Sequence, residues 1–247
     1  MAELAELRIV LIQARSTEDI VLQEQECFLE RCRIHSHQLR PVSVLRDKID
    51  EQLLGEIDAL MIGGAGEYSA TQEYGWMPAL LELVRAALDR GVPTFGSCWG
   101  HQVIARALGG RVVHDSELAE LGCHPVTLTE AGRADPLFGS FSDRFLVNMG
   151  HHDRVVALPP DAVELAYSDT QRFQAFRIGG APMYGTQFHS ELDARRERER
   201  LFRYREHYPE IAAEATFQAV LDNLAETSEV DHLLHDFLLR FVLESYT

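Results

Sequence analysis

Three side chains in this sequence have the types and surroundings that acyl transfer needs: Cys98, His189 and Glu191. Cys98 sits in Phe95-Gly96-Ser97-Cys98-Trp99-Gly100-His101-Gln102. Before it, Gly91 to Phe95 reads as a short buried strand opened by turn residues. After it, Val103 to Leu108 reads as a helix closed by Gly109-Gly110. A nucleophile on such a strand-to-helix turn has a strained backbone, and the glycines two residues to either side leave room for neighbouring chain. The first amides of the helix then face the sulfur and favour the thiolate, which is the reactive form. A buried structural cysteine would fit the same pattern. The distinguishing feature lies about 90 residues downstream, where a strand-like segment, Met183 to Phe188, ends in His189-Ser190-Glu191. A turn there folds the acid back onto the ring, so that imidazole meets the sulfur while the carboxylate fixes its tautomer. The competing reading of a His-x-Glu triplet is a solvated turn.

A thiolate attacking a carbonyl also needs two main-chain donors for the developing oxyanion. Gly63-Gly64-Ala65-Gly66 follows an apolar segment and lacks the Gly-x-x-x-x-Gly-Lys pattern of a phosphate cradle. Gly64 and Trp99 are therefore the candidate donors. With several glycines and no proline, the loop is expected to flip a peptide cheaply, so that the oxyanion hole is incomplete until a partner docks and turnover by the chain alone is weak.

The elements that must position these groups alternate. Leu7 to Ile12, Pro41 to Leu45 and Ile57 to Ile62 read as strands, with a helix over about 18–37 and an amphipathic helix over Trp76 to Arg90 whose inward face is Leu80, Leu83, Val84 and Leu88. Such alternation gives a parallel sheet with ligands at the carboxyl ends of its strands, where Cys98 and the glycine loop both fall. From Arg111 the style changes to short alternating segments joined by turns, read as antiparallel or mixed strands.

Composition narrows the function class. Lys+Arg 23 against Asp+Glu 39 in 247 residues gives a net charge of −16, which disfavours a phosphate backbone as partner. The start, Met1 to Glu6, is acidic and lacks the form of a signal peptide, and no apolar run approaches membrane-spanning length, so a cytoplasmic protein is expected. Four cysteines do not make a disulfide framework in a chain of this length. Cys27, Cys32, His35 and His37 match no standard zinc spacing, and neither a metal nor a cofactor is expected.

Together these motifs resemble the class I (triad) glutamine amidotransferase domain. The likeness rests on Gly-Ser-Cys-Trp-Gly-His-Gln, the Gly-Gly loop before it, Gly150-His151-His152-Asp153 and Gly-Thr-Gln-Phe-His-Ser-Glu, and it spans about residues 7 to 205. It implies an α/β fold: a flavodoxin-like open, mostly parallel sheet flanked by helices, with a small antiparallel or mixed sheet and a C-terminal helical extension. It implies Cys98 as nucleophile, His189 as general base and acid, Glu191 as its orienter, and Gly64 and Trp99 as oxyanion donors. Gly66, Gln102 and the main chain around Gly150, His152 and Asp153 would hold the amino-acid end of glutamine. Glu120-Leu121-Gly122 is similar to the family's Glu-x-Gly element. Ser190 replaces the usual proline of the His-x-Glu turn, Ala65 replaces a proline after the oxyanion glycine, and His152 stands where many members have glycine. A side chain at 152 would narrow the pocket or change what it accepts.

The expected division is a catalytic-type domain over 1–207 and a helical extension over 208–247. Arg195 to Tyr208 reads as a helix with a solvated, salt-bridged face. Pro209 opens the next helix, and the last segment carries Val230, Leu233, Leu234, Phe237, Leu238, Phe241 and Val242 on one stripe with Ser228 as cap; it docks on its own domain, on a second copy in a homodimer or on a partner. Two function classes follow. In the first, an enzyme cleaves glutamine or another γ-glutamyl small molecule through a thioester, passing ammonia to a separate synthase chain or hydrolysing alone. In the second, a non-catalytic binding module retains the fold.

Overall fold

A computed structural model describes residues 4–243; Met1 to Glu3 of the acidic start and the last four residues of the extension lie outside the described residues. Eleven strands run in chain order as β1 (Ile9–Gln13), β2 (Leu39–Ser43), β3 (Ala59–Ile62), β4 (Thr94–Ser97), β5 (Arg111–His114), β6 (Glu120–Leu128), β7 (Arg144–His151), β8 (Asp153–Ala157), β9 (Ala162–Ser168), β10 (Ala175–Ile178) and β11 (Met183–Thr186). The helices are α1 (Glu18–Cys32), α2 (Met77–Asp89), α3 (Trp99–Ala107), α4 (Glu130–Arg133), α5 (Ala194–Tyr204), α6 (Glu214–Asn223) and α7 (Leu233–Leu238).

Nine strands form one sheet in the order β2-β1-β3-β4-β11-β10-β9-β6-β7. The first five are mutually parallel and the last four are added antiparallel. The short alternating segments thus mostly extend the main sheet, and the separate small sheet is the antiparallel pair β5 and β8. Every residue of β1 and β3 is buried, as a parallel strand covered on both faces requires. Successive side chains of β1 divide between two cores. Ile9 and Leu11 pack with Phe28 of α1 and Phe237 of α7, whereas Val10 and Ile12 pack with Leu80 of α2 and Val103 of α3.

Of the expected inward face of α2, Leu80, Leu83 and Val84 are buried and Leu88 is half-buried against the same core, with Ala87 completing the buried stripe. α1 stops at Cys32, where Arg33 adopts a left-handed conformation (φ 56°). Two helix-start signals near the C-terminus fold otherwise than their residue types predict. Ser228 does not cap the last helix, which begins at Leu233 after His232, and Pro209 opens only a 3-10 turn, Pro209–Ile211. The apolar stripe Val230, Leu233, Leu234, Phe237, Leu238 and Val242 is buried in the same core as β1.

A third apolar cluster matters for the site. Leu201 and Tyr204 of α5, Tyr208 and Ile211 after it, and Phe217 and Leu221 of α6 pack on Ile20 of α1 and Leu121 of β6. The expected solvated, salt-bridged face of α5 is there in Arg195 with Glu199 and Arg203 with Asp19, but the opposite stripe is charged as well and lies inside. Arg196, Glu197, Arg200, Leu201 and Tyr204 are buried, because this stripe faces the body of the protein and finds charged partners there.

Candidate active site

β4 and β11 are neighbours, and their register pairs Ser97 with Thr186. Two segments far apart in sequence therefore end side by side at the carboxyl edge of the sheet, one leading into Cys98 and the other towards His189. Cys98 joins β4 to α3 with φ 49° and ψ −99°, outside the regions that a side chain tolerates comfortably. Its N–H is held by the Thr186 carbonyl at 2.8 Å, so the strained turn is anchored to the adjacent strand. The two flanking glycines are needed for close approach. A Cβ on Gly96 would lie 2.5 Å from the Gly100 carbonyl carbon, and one on Gly100 would strike the Ile62 carbonyl oxygen.

The imidazole of His189 donates from Nδ1 to Glu191 Oε1 at 2.7 Å, and Ser97 Oγ donates to Glu191 Oε2 at 2.6 Å. Gln187 Nε2 reaches Cys98 Sγ at 3.7 Å. Burial favours neutral His189, yet the Glu191 carboxylate and the Cys98 sulfur together hold its pKa well above the ordinary imidazole value. Burial likewise opposes ionisation of Glu191, but His189, Arg200 and Ser97 bring its pKa down to about 2. The carboxylate is thus an anion that holds the imidazole on one side and leaves the other ring edge to the sulfur.

Gly64 lies beside this pair: a Cβ on it would come 3.0 Å from His189 Cε1 and 3.9 Å from Cys98 Cβ. The Gly63 N–H donates to the Ile12 carbonyl at 3.0 Å, and the Gly63 carbonyl accepts from Gly100 N–H at 3.1 Å. The carbonyl of the 63–64 peptide is therefore held by α3, and the preceding 62–63 peptide by β1, which opposes the cheap flip expected from its glycines. Trp99 opens α3, so its N–H has no acceptor within the helix.

A pocket in front of Cys98 is lined by Gly66, Tyr68, Trp99, Gln102, His152 and Asp153 among others. The structure brings all ten sequence-predicted residues to one edge, in two tiers: Cys98, Trp99, His189, Glu191 and Gly64 at the strand ends, and Gly66, Gln102 and Gly150 to Asp153 around the opening. Gln102 donates to the Asp153 carbonyl at 2.7 Å and to Gln187 Oε1 at 3.1 Å, so it braces the wall. His152 is half-buried on that wall with its ring 4.5 Å from that of His114. Glu120 is buried, accepting from Ser168, Thr170 and Gln174 and meeting His151 Nε2 at 3.1 Å. Among the described residues, His114, His152 and Asp153 are the group whose ligand atoms approach within 4.8 Å of one another; Asp153 is already held by His114 at 2.8 Å and by Ser69. Cys27 and Cys32 are free and buried against α7 and α5, and burial pushes the Cys27 thiol up to about 12.

The profile of the family described as Glutamine amidotransferase class-I matches residues 29–205. The chain belongs to this family. A stretch of 135 residues is 35% identical to a GMP synthase [glutamine-hydrolyzing] of Vibrio atlanticus, covering 55% of this chain and 24% of that protein. Another of 146 residues is 33% identical to a γ-glutamyl-L-1-hydroxyisopropylamide hydrolase of Pseudomonas, covering 56% and 48%. This class I amidotransferase chain thus spans a quarter to a half of these curated relatives. In fold it is similar to a glutamine amidotransferase from Thermotoga maritima, with TM-score 0.76, 24% identity and 96% and 98% of the two chains covered.

Sequence reading missed one set of groups. Arg15 follows β1 by two residues and pairs with Glu24 at 2.8 Å and with Tyr204 at 3.0 Å; Arg200 stands 4.0 Å from Glu24 and 3.8 Å from Glu191. Tyr204 and Tyr208 close over Gly66 and Gly150, and a Cβ on Gly66 would lie 2.5 Å from the Tyr204 ring. The available signal was spacing: 196, 200 and 204, with 197, 201 and 208, recur at helical intervals, but the stripe is charged rather than apolar.

Proposed function

We propose that this chain hydrolyses a γ-glutamyl amide through a thioester on Cys98. The observation that supports this most is the chain of contacts from Ser97 through Glu191 to His189 behind a cysteine on a strained turn. The Cys98 thiolate attacks the γ-carbonyl carbon, and the oxyanion is received by the N–H groups of Gly64 and Trp99. His189 as imidazolium donates its proton to the leaving nitrogen, which departs as ammonia or an amine. Water then attacks the thioester, His189 removes its proton, and glutamate leaves with regeneration of the thiolate. Glu191 orients the ring throughout. Gly66, Gln102 and the main chain of Gly150, His152 and Asp153 bind the amino-acid end, and no cofactor takes part.

The fate of the nitrogen separates two readings. Likeness to part of a GMP synthase supports delivery to a separate synthase chain. The anchored 63–64 peptide favours a preformed oxyanion hole and hence hydrolysis without a partner, as does likeness to the Pseudomonas hydrolase. Acidity and unpaired cysteines suit the cytoplasm as the compartment. The test is a steady-state assay of the purified protein on glutamine and a panel of γ-glutamyl amides, with mass-spectrometric trapping of the thioester. Turnover of about 10 per second on one of them, a typical enzyme value, is expected without a partner. Turnover a hundredfold lower on all of them, rising when a synthase is added, would restore the gated reading. Activity that persists in Cys98→Ala would refute the mechanism.

A further inference from the structure

Arg200 presents a guanidinium in a place where its sequence gives no reason to expect one. It is buried on α5, and its Nε donates to Gln23 Oε1 at 3.1 Å. Its Nη1 stands 4.0 Å from Glu24 and 3.8 Å from Glu191, and neither terminal nitrogen has a hydrogen-bond partner among the described residues. A buried cation is costly unless opposite charge faces it, and two carboxylates do so here. One is Glu24, whose own closer partner is Arg15. The other is the acid behind His189. Resting on the proposed roles of Cys98, His189 and Glu191, we propose that Arg200 is a positioning residue: it holds the Glu191 carboxylate against His189 and sets the potential felt by the imidazole and the thiol.

The geometry supports a division of labour around Glu191. Oε1 accepts from His189 and faces Arg200, while Oε2 accepts from Ser97. Rotation of the carboxylate would break the short contacts and turn it from the cation as well. The charge balance is close to neutral, with Arg15 and Arg200 against Glu24 and Glu191. Around this quartet stand Cys27 from α1, Arg196, Glu197 and Tyr204 from α5, Tyr208 beyond it, and the His189–Cys98 pair itself. Neutralising one member therefore leaves an unbalanced charge beside the reacting groups. The two signs have opposite consequences. Loss of the Arg200 cation favours every protonated form nearby and moves titrations to higher pH. Loss of the Glu24 anion moves them to lower pH.

The experiment follows the pH dependence of Cys98 alkylation by iodoacetamide, read by mass spectrometry of the Cys98 peptide, in the wild type, Arg200→Gln, Arg200→Lys and Glu24→Gln. No substrate is needed, so failure of the γ-glutamyl reading and failure of this inference give different results. The alkylation midpoint is expected to move up by about one pH unit in Arg200→Gln and down by a similar amount in Glu24→Gln. Arg200→Lys, which keeps the charge, restores it. On a turned-over γ-glutamyl amide, Arg200→Gln lowers kcat about tenfold or more, with a smaller effect on KM. Arg196→Lys is the structural control: it keeps the charge but loses the paired contacts of 2.6 and 2.7 Å to Glu30 that pin α5, lowering the melting temperature with the alkylation midpoint unmoved. Unmoved midpoints in both Arg200→Gln and Glu24→Gln, or displacement in the same direction, overturn the inference. Should Arg200→Gln fail to fold, the Glu24→Gln displacement and the Arg200→Lys midpoint decide alone.

Discussion

Replacing Cys98 by glycine should remove the reactive thiol and still leave a protein more stable than the alanine variant. Both substitutions delete Sγ and its contacts with Gln187 and His189, so those losses cancel between them. What remains is the backbone. At φ 49° and ψ −99° a Cβ is strained, and such conformations cost on the order of 1–3 kcal/mol. Glycine adopts them freely but gives up about 0.5–1 kcal/mol relative to alanine through the entropy of the unfolded chain. The difference favours glycine by about 1 kcal/mol, equivalent to a melting temperature about 2–4 °C higher for a chain of this size. Differential scanning calorimetry of Cys98→Gly and Cys98→Ala at one pH measures it directly, with Ala105→Gly in α3 as the ordinary case in which glycine loses. Cys98→Gly melting 2 °C or more below Cys98→Ala would show, by the same scale, that the turn is not strained.

Two further outcomes are expected. Glu120 and Glu191 each have a pKa of about 2 against an ordinary 4.5, so each contributes stability that is complete above about pH 4.5 and is lost as pH falls through 2, about 3 kcal/mol apiece. The urea midpoint should fall steeply between pH 5 and 2.5 and less steeply in Glu120→Gln; equal slopes would remove Glu120 from the account. Gly66→Ala drives a Cβ into the Tyr204 ring and should lower kcat/KM about tenfold and stability by about 1–3 kcal/mol, whereas in a Tyr204→Ala background the same change should cost little. Additive losses would show that the two residues do not press on each other.

The parallel half of the fold was legible because β1 and β3 are continuous apolar runs and α2 repeats its apolar residues at helical spacing. The Cys98 turn was legible because strand, glycines and helix are contiguous. His189 and Glu191 could be read as a pair because the spacing of two residues lets a turn join them. Other features were not local. The segments after Arg111 alternate as antiparallel strands do, but nothing in them says that β11 inserts beside β4 and that the others continue the same sheet. Arg200 was unreadable for a different reason. Hydropathy treats a charged stripe as solvent-facing, and only the positions of Glu24 and Glu191, fixed by other elements, make burial of that stripe tolerable. The tie on the 63–64 peptide likewise depends on its partner at Gly100, and that on the peptide before it on Ile12, not on the loop's own residues.

The place of β11 in the sheet has a consequence during synthesis. β4, which leads to the nucleophile, is made early, but its second neighbour is completed only at Thr186, and the residues that hold Glu191 and roof the pocket come later still, through Arg200, Tyr204 and Tyr208. A nascent chain ending before β11 has the edge of β4 unpaired, and an open edge invites pairing with other chains. It also carries Cys98 without His189, whose proposed role is to activate the sulfur. On the proposed roles, arming of the sulfur and covering of the edge are thus one event.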